Sequence, residues 1–137
     1  MNEVRVTIPG TFATLNEFIE ASKHGSGWYS KGKKDGKRWN GGNSMKQRDQ
    51  RTIMCHLPHL KLKPPVSLHY TFYEKNKRRD QDNISGYFHK IFQDSLVCAG
   101  MLPGDGWRYV DGMEDRFEVD QKTPRIEVII RHEKQRR

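Results

Sequence analysis

At 137 residues the chain has the length of one domain around one hydrophobic core. Lys and Arg total 25 against 17 Asp and Glu, giving a net charge of +8 and a pI near 9.6. That balance favours a polyanionic partner, because each phosphate contact releases condensed counterions. No run approaches the roughly 20 apolar residues that span a bilayer, so no membrane partner is expected. The start, Met1-Asn2-Glu3-Val4-Arg5, lacks the charge, apolar run and small-residue site of a secretory signal, and the cytoplasm is the expected compartment.

Val4, Val6 and Ile8 alternate with polar residues, which predicts a strand ended by Pro9-Gly10. Thr14-Leu15-Asn16-Glu17 is a capping-box pattern, and Leu15, Phe18 and Ile19 give the helical spacing behind it. Between residues 25 and 43 six glycines, two tryptophans and a tyrosine mix with Lys31, Lys33, Lys34, Lys37 and Arg38, so a basic, glycine-rich mobile loop is expected there. A second helix is expected from Ser44 to about His56, before Pro58, with Ser-x-x-Gln as its cap.

Val66, Leu68, Tyr70 and Phe72 alternate with Ser67, His69 and Thr71, the clearest strand of the chain. Ile84, Tyr87, Phe88, Ile91, Phe92, Leu96 and Ala99 then recur at helical spacing, with Gly100 as C′ residue and Pro103 beyond. Strands near Arg116–Asp120 and from Arg125 to Arg131 complete the domain, and residues 132–137 form a basic tail expected to be disordered. The order of elements predicts an α+β fold over residues 1–137: a mixed sheet of about four strands with packed helices. Cys55 and Cys98 are expected as reduced, partly buried thiols.

Chemistry concentrates in Lys75-Asn76-Lys77-Arg78-Arg79-Asp80-Gln81-Asp82-Asn83, between the best strand and the best helix. Two carboxylates two residues apart point the same way in extended backbone, and hard divalent cations take oxygen ligands. Equally, Asp82 or Asn83 can cap the helix while Asp80 pairs with Arg78 or Arg79. Leu102-Pro103-Gly104-Asp105-Gly106-Trp107 follows the helix, and Asp105 is either a turn residue or a third carboxylate. A helix over 84–99 sets the two segments roughly 24 Å apart, so their convergence is not automatic.

Other signals are weaker. Gly27–Lys34 nearly spells a phosphate-binding loop but has Lys34 where Ser or Thr is required, and no nucleotide cofactor is expected. His56 and His59 have metal-like spacing without further ligands. His69 and His89 are read as ordinary exposed histidines. Residues 31–51 hold eight Lys or Arg and two acids, with Trp28, Tyr29 and Trp39 nearby, a composition suited to phosphates and exposed bases.

Arg79-Asp80-Gln81-Asp82-Asn83, then Lys90, Asp94-Ser95-Leu96, Ala99-Gly100 and Asp105-Gly106-Trp107, together resemble the RusA family of Holliday junction resolvases, especially its prophage-type members. The motifs cover residues 79–107, with looser likeness in the first and last strands. The resemblance implies a homodimeric endodeoxyribonuclease that nicks a four-way DNA junction symmetrically with Mg²⁺, for which Mn²⁺ can substitute. By position it implies Asp80, Asp82 and Asp105 as metal ligands and Lys90 as the active-site lysine. Lys90 departs from the pattern, lying about one helical turn later than in some members, on the face opposite Ile84, Phe88 and Phe92. There a solvated lysine paired with Asp94 fits equally well. Lys77, Arg78 and Arg79, with Lys31, Lys33, Lys34, Lys37 and Arg38, are the expected DNA contacts. A flap or fork nuclease and a non-catalytic nucleic-acid-binding module are the rival readings.

Overall fold

The computed structural model describes residues 2–24, 27–28, 38–39 and 41–132. Lys31, Lys33, Lys34 and Lys37 lie outside the described residues, as do the tail residues 133–137 and the side chain of Arg38. In chain order the elements are β1 (Asn2–Pro9), α1 (Leu15–His24), β2 (Gly27–Trp28), β3 (Arg38–Trp39), α2 (Gly41–Met54), β4 (Val66–Glu74), α3 (Gln81–Cys98), β5 (Val110–Val119) and β6 (Arg125–His132).

The expected α+β fold is present, as a mixed sheet of order β1-β6-β4-β5 with three helices. β6 lies antiparallel to both β1 and β4, whereas β4 and β5 run parallel, as their crossover through α3 requires. The helices cover one face. On β4 the residues Val66, Leu68, Tyr70, Phe72 and Glu74 are buried while those between them are half-buried, the period-two signature of a sheet packed on one side. Ile8, Val128, Phe72, Phe88, Ile91, Phe92 and Leu96 share the core.

Local signals work as physical chemistry demands. Glu17 N–H donates to Thr14 Oγ1 at 3.1 Å and Thr14 N–H to Glu17 Oε1 at 2.7 Å, so the expected capping box starts α1. Gly100, at φ +77°, ends α3 in the left-handed conformation that favours glycine. α2 is tied to α3 by Tyr87, whose hydroxyl donates to the buried Asp49 at 2.7 Å, and by Lys46–Asp94 at 3.0 Å.

Three boundaries differ from expectation. α2 begins at Gly41 rather than Ser44, β5 starts at Val110 rather than near Arg116, and β6 continues through His132. Within the predicted 25–43 loop, β2 and β3 pair as a short antiparallel ribbon. The first half of β5 escaped because it is an edge strand whose residues are mostly exposed, so it carries little apolar alternation for periodicity to detect. Cys55 and Cys98 are free and exposed rather than partly buried.

Candidate functional site

The turn from β4 to α3 is built by one buried acid. The alternation of β4 continues a step past Phe72, so Glu74 falls on the covered face and is only 7% exposed. A carboxylate there needs a cation and hydrogen bonds. Arg79 supplies both: Nε donates to Oε1 at 3.0 Å and Nη2 to Oε2 at 2.9 Å, while Nη1 donates to the Phe12 carbonyl at 2.8 Å. This fork closes the turn and ties it to the segment before α1. Arg79, expected to contact DNA, is therefore turned inward onto Glu74.

The next residues are free. Asp80 is the N-cap residue of α3, extended at φ −72° and ψ 142°, and its side chain makes no capping hydrogen bond. Asp82 lies in the first helical turn, where the positive end of the helix dipole favours an anion. Both are exposed, and neither carboxylate has a hydrogen-bond or ion-pair partner among the described residues. Among the described residues, capping by Asp82 or Asn83 and pairing of Asp80 with Arg78 or Arg79 are thus both absent. The period-two argument for a shared direction also fails, because only Asp80 is extended. Lys77 and Arg78 are exposed beside them. Asn76, Lys77, Gln81, Ile84, Glu118 and Val119 help to line a groove of about 260 Å³, so the start of α3 lies beside the end of β5.

The third expected carboxylate lies elsewhere. β4 and β5 are parallel, so α3 runs back along the sheet and delivers the chain to the opposite end. With 18 residues α3 is roughly 27 Å long. The loop carrying Asp105 is anchored where β4 begins: Val66 N–H donates to the Tyr109 carbonyl at 2.8 Å, and Leu62 N–H to the Met101 carbonyl at 2.9 Å. Gly104 fits beneath the Tyr109 ring, where an added Cβ would come within 2.9 Å of Cε2. Asp105 is exposed there and has no partner among the described residues. Within one chain Asp105 does not join Asp80 and Asp82, and no group of three or more metal-ligating side chains forms among the described residues.

Lys90 is exposed, about 12 Å along the helix axis from Asp82 at 1.5 Å per residue. It is not paired with Asp94, which takes Lys46. His89 pairs with Asp115 at 2.7 Å and His69 with Glu114 at 2.9 Å, so neither is the bare surface histidine expected. No protein-family model matches the chain, and no curated protein matches it.

Sequence reading missed the carboxylates with structural roles. Asp120, at the turn from β5 to β6, accepts from Lys122 N–H, Thr123 N–H, the Thr123 hydroxyl and Arg125 Nη1. The Arg125 hydrogen bond, then those from Thr123, hold its carboxyl down at about 2. Arg125 also bridges Glu127 at 2.7 Å and lies 3.8 Å over the Tyr73 ring. Glu74 was detectable by carrying the β4 alternation one step further. Asp49 stands on a helix with a thin apolar face and offered no such signal.

Proposed function

We propose that the chain is a Mg²⁺-dependent endonuclease acting on branched DNA, with Asp80 and Asp82 as its metal-holding carboxylates. One observation carries this reading: two exposed acids remain without partners among the described residues, in a basic turn whose other acid, Glu74, is fully engaged. An Asp at a helix N-cap ordinarily uses its side chain on the first free N–H groups. This one leaves that place unused.

The donor set fits the ion. Mg²⁺ is commonly held by one or two carboxylates, with water and substrate phosphate oxygens completing its shell. The chemistry such an ion supplies when bound is Lewis acidity at a phosphoryl oxygen and a more acidic water. The chain's own residues supply the rest. Asp80 and Asp82 hold charge at the start of α3, Arg79 fixes the turn that presents them, and Lys77 and Arg78 meet the phosphate backbone. Lys90 takes no part at this distance. The four-way junction is the substrate that the resemblance to the RusA family implies, and a paired cut there calls for two copies related by a two-fold axis. No helix among the described residues is long and apolar enough to cross a membrane.

The separation of Asp105 from the other two acids favours one rival, a binding module without catalysis. A nicking assay decides between them, using a labelled four-way junction beside linear duplex of the same sequence, with wild type and Asp82→Asn, each in Mg²⁺ and in EDTA. The expected result is paired symmetric nicks from wild type in Mg²⁺ alone. Tight junction binding with no product under any metal supports the binding module. Cutting that ignores the branch leaves a general nuclease, and full activity in Asp82→Asn overturns the carboxylate assignment.

A further inference from the structure

Among the described residues the most exposed large apolar side chain is Trp107, at 95%. An indole ordinarily buries its large apolar surface on a neighbour, and apolar neighbours are close, since Val110 and Met113 line a groove with it. The backbone holds it out instead. Tyr109 N–H and Val110 N–H both donate to the Gly106 carbonyl at 2.9 Å, which puts Trp107 at the tip of a closed turn. Behind that turn the Tyr109 carbonyl accepts from Val66 N–H at 2.8 Å, and Gly104 packs under the Tyr109 ring. The ring is thus presented on a fixed frame, so little ordering remains to be lost when a ligand meets it.

The surroundings select the ligand. A protein partner needs roughly 800 Å² of buried surface from each side. Here Asp105, Arg108 and Asp111 surround one ring with exposed polar groups. A membrane surface needs a whole amphipathic face, which a single ring in a turn does not offer. A nucleobase needs one aromatic face and no more.

Charge agrees with a base. Arg108 follows Trp107 in the chain, and Lys61 lines a groove with Met101, Leu102 and Pro103 of the same loop. Both are exposed cations without a partner among the described residues, placed to meet phosphates on either side of a stacked base. Trp107, Val110, Asp111, Gly112 and Met113 line a groove of about 310 Å³. Its one charged group is the Asp111 carboxylate, which repels phosphate and can accept from an amino group at a base edge. The groove therefore suits a base and not the backbone.

We propose that Trp107 is a stacking platform for an unpaired base, and that it gives the chain a preference for branched over plain duplex DNA. In duplex every base is already stacked and paired, and taking one out costs free energy that a branch or bulge has already supplied. DNA as the partner is taken from the nuclease reading above; stacking itself requires no cut.

Anisotropy titrations in EDTA test the platform apart from cleavage, using a labelled duplex and the same duplex with an unpaired bulge. Wild type is expected to prefer the bulged DNA. Trp107→Ala is expected to lose about tenfold in affinity for it, the scale of one stacked base, while duplex affinity stays within about twofold. Trp107→Phe keeps a ring and is expected to recover most of the loss. Arg108→Ala is expected to weaken both DNAs alike and to lower the salt slope by about one. Trp107 is nearly bare, so its removal leaves the core intact. A bulged-to-duplex ratio that Trp107→Ala does not change overturns the platform. If wild type still nicks a four-way junction in Mg²⁺, the nuclease reading survives that result. A ratio that falls in Trp107→Ala, with no nicking by wild type under any metal, overturns the nuclease reading and keeps the platform.

Discussion

Two acidic turns share one end of the sheet and have opposite chemistry. In the turn from β5 to β6, Asp120 takes hydrogen bonds from two neighbouring residues, Lys122 and Thr123, and from an arginine, and its backbone N–H donates to the Glu74 carbonyl at 2.7 Å. In the turn from β4 to α3, Asp80 and Asp82 take none from the described residues. Composition is similar in both, with acids, a nearby arginine and solvent. What differs is where the arginine goes. Arg125 reaches the turn acid, whereas Arg79 is drawn away by Glu74, whose burial makes it the stronger claimant. An acid left unpaired beside a satisfied pair is available for a ligand from outside the chain.

Substitutions sharpen that contrast, and the largest effect falls on activity. Asp82→Asn is expected to reduce Mg²⁺-dependent nicking about a thousandfold, close to 4 kcal/mol of transition-state stabilisation. Because the side chain has no partner among the described residues, thermal unfolding should move by less than about 1 kcal/mol, the scale of a lost helix-dipole contact. Next is Arg79→Ala, which strands a buried carboxylate and is expected to cost about 3 kcal/mol by denaturant unfolding. It should also disorder the turn that carries Asp80 and Asp82, so any nicking activity and stability are expected to fall together, unlike in Asp82→Asn. Tyr87→Phe leaves Asp49 buried without its hydroxyl donor, with an expected cost of about 1–2 kcal/mol and no change in metal dependence.

The smallest effect is a pH signature. The folded-state pKa of Asp120 is lowered to about 2 by Arg125 and Thr123, below the ordinary value of 3.8. A depressed carboxyl contributes stability above its unfolded pKa and loses it as pH falls through the folded one. Wild type should therefore exceed Asp120→Asn in stability at neutral pH, with the gap closing between about pH 4 and pH 2.

Where periodicity carried the information, the sequence was sufficient. The alternation in β4, the apolar stripe of α3 with Gly100 behind it, and the Thr14–Glu17 box are each local patterns with one physical outcome. The 80–82 pair was visible as chemistry but not as geometry, since nothing local says that Glu74 would take Arg79. Asp105 shows the limit most clearly. Its distance from Asp82 follows from the parallel pairing of β4 with β5, a long-range fact that no window of sequence contains. β5 itself was half hidden, because an exposed edge strand is under no pressure to alternate.

Amide NMR during a Mn²⁺ titration tests the contrast between the two turns most directly, since the paramagnetic ion broadens signals near it. The account predicts early, selective loss of the signals of residues 80–83, with those of residues 120–123 unaffected at the same ion concentration. Equal broadening of both turns, or loss at Asp120 first, would contradict it.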